Sequence, residues 1–343
     1  MGGSYSAPKV KSSVYPSFVS GMPSLTDKVV VVTGCTSGTG FIAARTVAEK
    51  GGEVVMLNRK SERAEKALKD ITEGVSGAKV VQIDCDLMDL EAVAAAAAEI
   101  KTKYGAKGVD VLVNNAGIMA MPDKRTKDGF DTQMQTNHIS HFLLTKELMP
   151  LLEKAAAKNG SARVVNHSSI ASLGKAPLEA KYFEKSEEGT LGGNKVSMGF
   201  QGPPWDRYHA SKLANVVFTR ALADKLAAKS SPVISVVAHP GLSATNLQVA
   251  TSKEGGMGGL FTRILMCNAQ SPEDGTVGLL TCIASPDVKN GEFWGPTMVS
   301  MRKSLAGPPV SNPMSTSEFW DREESKKMLW EKSEAAIGST FAL

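Results

Sequence analysis

KVVVVTGCTSGTGFIAARTVAEKG, residues 28–51, decides how this chain folds. Four consecutive valines lead into T33-G-C-T-S-G-T-G40, and an amphipathic run follows and closes on Gly51. An unbroken apolar run of this length reads as a strand buried on both faces. The amphipathic run reads as a helix ended by glycine. Between them, a glycine-rich turn lets backbone amides approach a pyrophosphate, and the helix N-terminus favours its negative charge. A glycine-rich turn alone is a weak signal; its place between a strand and a helix strengthens it. The lysine of a P-loop is missing, which disfavours nucleotide hydrolysis.

Outward from this stretch the alternation continues. EVVMLNR (53–59), KVVQIDCDL (79–87), VDVLVNNAG (109–117), ARVVNHSS (162–169) and VISVVAHPG (233–241) read as strands. SERAEKALKDI (61–71), LEAVAAAAAEIKTKYG (90–105), FDTQMQTNHISHFLLTKELMPLLEKAA (130–156) and WDRYHASKLANVVFTRALADKLAAK (205–229) read as helices. This pattern predicts an α/β protein: a Rossmann-type, doubly wound parallel sheet in three αβα layers, forming a single domain over 27–340. Such sheets bind ligands beyond the carboxyl ends of their strands. The polar motifs TGCTSGTG, NR, DCDL, NNAG, HSS and HPG all fall at those ends.

Composition narrows the class. The 39 Lys+Arg and 35 Asp+Glu leave a net charge of +4, and the charges are interspersed, so there is no nucleic-acid footprint. Apolar residues at 42% fill an ordinary globular core. Cys35, Cys85, Cys267 and Cys282 lie far apart and read as reduced thiols, which points to an intracellular, cytoplasmic setting. No apolar run is long enough to span a bilayer. Residues 1–26, rich in Ser, Gly and Pro, read as a flexible arm. Their first residues, MGGSYS, also fit the pattern for N-myristoylation of Gly2, which with Lys9 and Lys11 would give a weak peripheral membrane attachment.

The cofactor choice turns on the end of the second strand. An acid about 20 residues beyond the glycines would hold the ribose 2′-hydroxyl of NAD. Here Asn58-Arg59-Lys60 offers no carboxylate, and a guanidinium at Arg59 suits a 2′-phosphate, so NADP(H) is expected.

A tyrosine and a lysine four apart, Tyr208 and Lys212, share a helix face. A free phenol has a pKa of about 10, too high for efficient proton exchange at neutral pH. A neighbouring ammonium lowers it, so Lys212 is expected to bring Tyr208 into range as a general acid or base.

Taken together and in order, TGxxxGxG at 33–40, NNAG at 114–117, Asn137, Ser169, YxxxK at 208–212 and PG at 240–241 resemble the short-chain dehydrogenase/reductase family. The resemblance covers about residues 27–340. VDVLVNNAGIMAMPDKRTKDGFDTQMQTNHISHFLLT, YHASKLANVVFTRALADKL, VVAHPGLSATNL and SKKMLWEKSEAAIG resemble its retinol dehydrogenase-like branch, which includes relatives of the WW-domain oxidoreductases. That branch is close to light-dependent protochlorophyllide reductase, but the photoenzyme's cysteine two residues after the lysine is Ala214 here.

The resemblance implies catalytic roles for Asn137, Ser169, Tyr208 and Lys212, with Ser168 the near neighbour of the matching serine. It implies cofactor contacts at Gly34, Ser37, Gly38, Thr39, Gly40, Arg59, Asp86, Leu87, Asn115, Ala116, Gly117, Tyr208, Lys212 and Thr245. No metal is implied, and His138 and His141, three apart on a helix, are explained without one. The 170–206 stretch is longer than the family spacing and reads as a loop or small added element beside the substrate mouth. Residues 246–270 occupy the position of the family's substrate lid; GGMGG gives hinge freedom, and Leu260, Phe261, Ile264, Leu265 and Met266 give an apolar face. The expected substrate is a small lipophilic carbonyl or alcohol, such as a retinoid-, steroid- or lipid-derived molecule. The alternatives are a non-catalytic NADP(H)-binding regulator or scaffold, and a protochlorophyllide reductase-like enzyme.

Overall fold

The valine run forms β1 (Val29–Thr33), every residue of which is buried. In the computed structural model, which describes residues 10–173, 176–197, 200–256, 269–296, 306–311 and 319–343, β1 lies between β2 (Glu53–Asn58) and β4 (Val111–Asn114), parallel to both. With β3 (Lys79–Asp84), β5 (Ala162–His167), β6 (Val233–Ala238), β7 (Phe293–Pro296) and β8 (Pro309–Ser311) it makes an eight-stranded sheet of order β3-β2-β1-β4-β5-β6-β7-β8. The chain winds outward from β1 to β3, returns to β4 beside β1, and winds out the other way. The strand order therefore reverses between β1 and β4, where doubly wound sheets open a crevice for ligands.

Helices cover both faces. Leu90–Tyr104, Ser140–Asn159 and Pro203–Ala228 share one apolar core with the sheet, and Gly38–Glu49 and Pro272–Ala284 share the other. Pro203–Ala228 is buried almost all round because Glu323–Ile337 packs over it. There Trp330 and Phe341 meet the Phe142 ring at 5.2 and 5.4 Å. The single α/β domain expected from the sequence is thus present, with its packing extended past residue 340. β7 and β8 had no clear sequence signal, and β8 is antiparallel to β7, so the sheet is parallel except at one edge.

Two expectations need correction. The helix expected over 130–156 is interrupted. Thr132–Met134 is α-helical, Gln135–Ile139 is a π turn, and the α-helix resumes at Ser140–Asn159. The arm expected to be flexible over 1–26 is held over its described part. Asp274 accepts hydrogen bonds from the amides of Ser13, Val14 and Tyr15 and from the Ser13 hydroxyl, all within 3.0 Å. A short helix (Tyr15–Gly21) follows, and the Tyr15 hydroxyl meets Thr46 Oγ1 at 2.6 Å. Gly2 and Lys9 lie outside the described residues.

The 170–206 stretch, read as a loop or small added element, is an irregular connection. Its described part contains two short 3-10 turns (Ile170–Leu173 and Ala180–Phe183) and is fastened to the domain. Arg207, 1% exposed, donates to the carbonyls of Leu191, Gly193 and Met121. Its guanidinium also lies 3.3 Å from Asp131 and 3.6 Å from Asp123. Arg125 joins Asp123 at 2.9 Å and donates to the Ser186 and Glu187 carbonyls. Buried charges are tolerated when paired and hydrogen-bonded in this way. In the region read as a lid, Asn246–Lys253 is helical, whereas Leu260, Phe261, Ile264, Leu265 and Met266 lie outside the described residues.

Candidate active site

The glycine-rich turn folds as its residues require. Gly34 and Gly38 have φ of +73° and +59°, a region where glycine is free of strain. A Cβ on Gly40 would lie 2.3 Å from both Asn115 Nδ2 and the Gly34 carbonyl oxygen. The helix Gly38–Glu49 opens directly from this turn, and Ser37, its N-cap, makes no side-chain cap bond. The first-turn amides and the positive helix end therefore face outward at the crevice. On the far side of a cleft of about 210 Å³, Ala244, Thr245 and Pro272 oppose Gly38, Phe41 and Ile42. Thr245 donates its hydroxyl to Gln248 at 2.9 Å.

At the end of β2, Asn58 Oδ1 accepts the Cys35 amide at 2.7 Å, which ties that strand end to the glycine turn. The next residue, Arg59, is exposed. Arg63 adds a second guanidinium, 3.4 Å from Ser37 Oγ. Sequence reasoning missed Arg63, because a charge on an amphipathic helix ordinarily reads as its solvated face. The donor set fits a dinucleotide pyrophosphate at the turn.

Some expected contact residues are occupied within the protein. Thr39 and Asn115 bond each other at 2.9 Å, and Asn115 Oδ1 also accepts His167 Nδ1 at 2.8 Å. Asn115 therefore braces the glycine turn against the β4 and β5 ends. Ala116 packs under Gly34, where an added Cβ would approach Ala116 Cα to 2.9 Å. Asp86 accepts the Met88 amide, and the Leu87 carbonyl accepts Ser140 Oγ.

Tyr208 and Lys212 do converge with the other candidates. Ser169 lies near enough to the Tyr208 phenol to pull its pKa down, and its Oγ accepts the Ala171 amide at 3.2 Å. Ser168 instead donates to the Lys212 carbonyl at 2.8 Å and is buried. Lys212 Nζ lies 6.0 Å from the Tyr208 ring centre and donates to the His167 carbonyl at 3.0 Å. A Cβ on Gly117 would sit 3.1 Å from that Nζ and 3.2 Å from Asn137 Oδ1, so this glycine keeps room for both. Asn137 lies in the π turn. Its amide brackets Ile118, accepting from its N–H at 2.8 Å and donating to its carbonyl at 2.9 Å, and also donates to Ser211 at 2.8 Å.

The two nearby histidines face different partners. His141 Nδ1 must donate to the Asn137 carbonyl, 3.1 Å away, since a carbonyl only accepts. Its Nε2 then accepts from Thr33 Oγ1 at 2.9 Å. Burial pushes the His141 pKa down to about 4, keeping this neutral tautomer. His138 instead bonds Ser333 at 2.8 Å.

Electrostatics correct the expectation that Lys212 lowers the tyrosine. Burial pushes the Tyr208 phenol up to about 12, outweighing the lowering influence of Ser169. Burial likewise pushes Lys212 down to about 8. Desolvation disfavours the charged form of each. Around the phenol stands an apolar wall of Met119, Ala120, Trp205 and Leu247, with the Trp205 ring 5.8 Å from Tyr208 and edge-on to it.

The short chain dehydrogenase family description matches residues 28–183. Human retinol dehydrogenase 12 is 36% identical over 224 residues, 65% of this chain and 64% of that protein. Human retinol dehydrogenase 11 is 31% identical over 80% of this chain and 79% of its own length. The match to retinol dehydrogenase 12 thus spans just under two thirds of that relative. Among solved structures, an uncharacterized protein from Mycobacterium Paratuberculosis superposes with a TM-score of 0.71 at 30% identity, covering 95% of this chain and 98% of the other. A Beutenbergia cavernae protein assigned as an NAD(P)-dependent gluconate 5-dehydrogenase, with NADP bound at low occupancy, gives a TM-score of 0.56 at 25% identity over 79% of this chain and 95% of its own. By sequence, by fold and by the order of its motifs, the chain belongs to the short-chain dehydrogenase/reductase family, in its retinol dehydrogenase-like branch.

Proposed function

We propose that the chain is an oxidoreductase that uses NADP(H) to interconvert a carbonyl and an alcohol on a small lipophilic substrate, with Tyr208 as general acid and base. The observation that carries this reading is the meeting of Ser169, Tyr208 and Lys212 at the carboxyl end of the sheet, beside a glycine turn and under an apolar wall. NADP(H) rather than NAD(H) is supported by Arg59 and Arg63 flanking the turn, with no carboxylate at the end of β2.

When bound, the nicotinamide supplies or accepts the hydride. The Ser169 hydroxyl hydrogen-bonds the substrate oxygen and fixes it beside the phenol. Tyr208 donates its proton to that oxygen as negative charge develops there. A phenol pushed up to about 12 is protonated at neutral pH, the form that reduction requires. Lys212 then faces the phenolate left behind and favours it. The apolar wall keeps water from competing for the oxygen.

Steady-state turnover of an aldehyde panel with NADPH and with NADH tests this. The expected result is turnover favouring NADPH. Tyr208→Phe should lower kcat/KM by about 10²- to 10⁴-fold while NADPH binding, read by nucleotide fluorescence, is retained. A Tyr208→Phe protein as active as the parent refutes the role of the phenol. A preference for NADH refutes the reading of Arg59 and Arg63.

A further inference from the structure

Residues 10–22 run across both walls of the cleft beside the glycine turn. The helix Gly38–Glu49 forms one wall; Ala244, Thr245, Pro272 and Glu273 form the other. The segment meets the second wall first. Val10 packs against Ala244 and Ala269. Ser12 Oγ lies 3.0 Å from Ser271 Oγ and 3.4 Å from Glu273 Oε2. Asp274, 5% exposed, follows in the first turn of the helix that begins at Pro272. Its Oδ2 accepts the Ser13 amide and hydroxyl, and its Oδ1 accepts the amides of Val14 and Tyr15. Both oxygens of this carboxylate thus serve one segment, and a buried charge is stable only while its donors stay. The chain then crosses to the first wall. Thr46 Oγ1 gives its proton to the Ile42 carbonyl at 2.7 Å, so the Tyr15 hydroxyl is the donor in their 2.6 Å bond. The Tyr15 and Phe18 rings pack against an apolar cluster that includes Ala43, Ala44 and Val47 of the same helix.

We infer that residues 10–22 clamp the cofactor cleft, and that Asp274 is the positioning residue that fastens the clamp. Docked, the segment holds the wall carrying Thr245 to the helix that opens from the glycine turn, and this hold slows the departure of a bound dinucleotide. The inference rests on the dinucleotide lying in this cleft and not on the reaction proposed for it.

The test is nucleotide release from the full-length protein, followed by stopped-flow fluorescence as excess NADP⁺ displaces NADPH, with NADH displaced by NAD⁺ alongside. The more tightly bound nucleotide is scored, and no turnover is needed. Trypsin cleavage after Lys11, which is exposed, reports separately whether the segment is docked. Asp274→Ala should undock it and raise the off-rate about tenfold, as loss of several bonds to one charged group implies. Tyr15→Phe removes only the link to Thr46 and should raise the off-rate about threefold. Because both act through one segment, the double variant should match Asp274→Ala alone rather than the product of the two effects. The inference is overturned if Asp274→Ala leaves the off-rate within about twofold of the parent, or if the rate rises while cleavage after Lys11 stays as slow as in the parent. It is also overturned if the two effects multiply in the double variant, the mark of two independent losses of stability. A parent that binds neither nucleotide overturns it together with the NADP(H) reading. A parent that reduces no aldehyde but shows the coupled effect upholds the clamp and rejects the oxidoreductase reading.

Discussion

Replacing Lys212 by Met should stabilise the nucleotide-free protein at neutral pH while removing its activity. Lys212 is 5% exposed, and burial moves its pKa from the ordinary 10.5 down to about 8. A folded-state pKa below the unfolded value means that the unfolded chain binds more protons between the two, so this residue's contribution to stability rises with pH across that window. At pH 7 both states are protonated, and the folded state carries the full penalty of a buried charge. At about 1.36 kcal/mol per pKa unit, that penalty is about 3 kcal/mol. Methionine matches the length of the stem without the charge. The His167 carbonyl that Lys212 engages keeps a second donor, Asn215 Nδ2, at 3.2 Å. Lys212→Met should therefore gain about 3 kcal/mol at pH 7 and nearly nothing at pH 10.5. The assay is guanidinium unfolding of both proteins at pH 7, 8, 9 and 10, followed by tryptophan fluorescence. Subtracting the curves removes the buried thiols, whose raised pKa values act equally in both. A Lys212→Met protein that is less stable than the parent, or a difference flat from pH 7 to 10, would refute the reasoning.

Two further outcomes follow from the geometry. Gly40→Ala puts a Cβ 2.3 Å from Asn115 Nδ2 and from the Gly34 oxygen, so the turn has to shift. Overpacking of this kind costs about 1–3 kcal/mol, and NADPH binding by fluorescence titration should be lost before the fold is. Asp274→Ala removes the acceptor for three amides and the Ser13 hydroxyl. Hydrogen bonds to a charged group are worth about 1.5–3 kcal/mol, and trypsin should cut faster after Lys11. Although burial opposes ionisation of Asp274, those amides hold its carboxyl below the ordinary 3.8. The hold is therefore present above about pH 4 and is lost as pH falls through the depressed value; equal trypsin rates in parent and variant at pH 7 would count against it.

The sheet was legible because its signals are local. Runs such as Val29–Val32 and Val54–Leu57 can bury both faces only in the middle of a parallel sheet. The meeting of Ser169, Tyr208 and Lys212 was legible from motif order. What escaped depends on distant partners. The strap at residues 10–22 has the composition of a flexible arm, and its order comes from Asp274, about 260 positions away. The π turn escaped because one extra residue per turn leaves the apolar period almost unchanged across Thr132–Asn159. Arg207 and Arg125 look like solvated charges until Asp123 and Asp131 are seen to enclose them. The phenol was misjudged because a sequence shows the neighbouring lysine but not the depth at which the phenol is buried.

The ion network around Arg207 also determines how the protein opens. Arg207 directly precedes Tyr208, Asp131 caps the turn that leads to Asn137, and the carbonyls of Leu191 and Gly193 belong to the long connection between Ser169 and Tyr208. Removing any one member would strand a charge in a dry interior, so these segments have no low-energy way to separate singly. They should behave as one cooperative unit, with amides near Leu191 exchanging with solvent only as slowly as those beside Tyr208. A connection that looks like a surface appendage would thus share the lifetime of the catalytic helix.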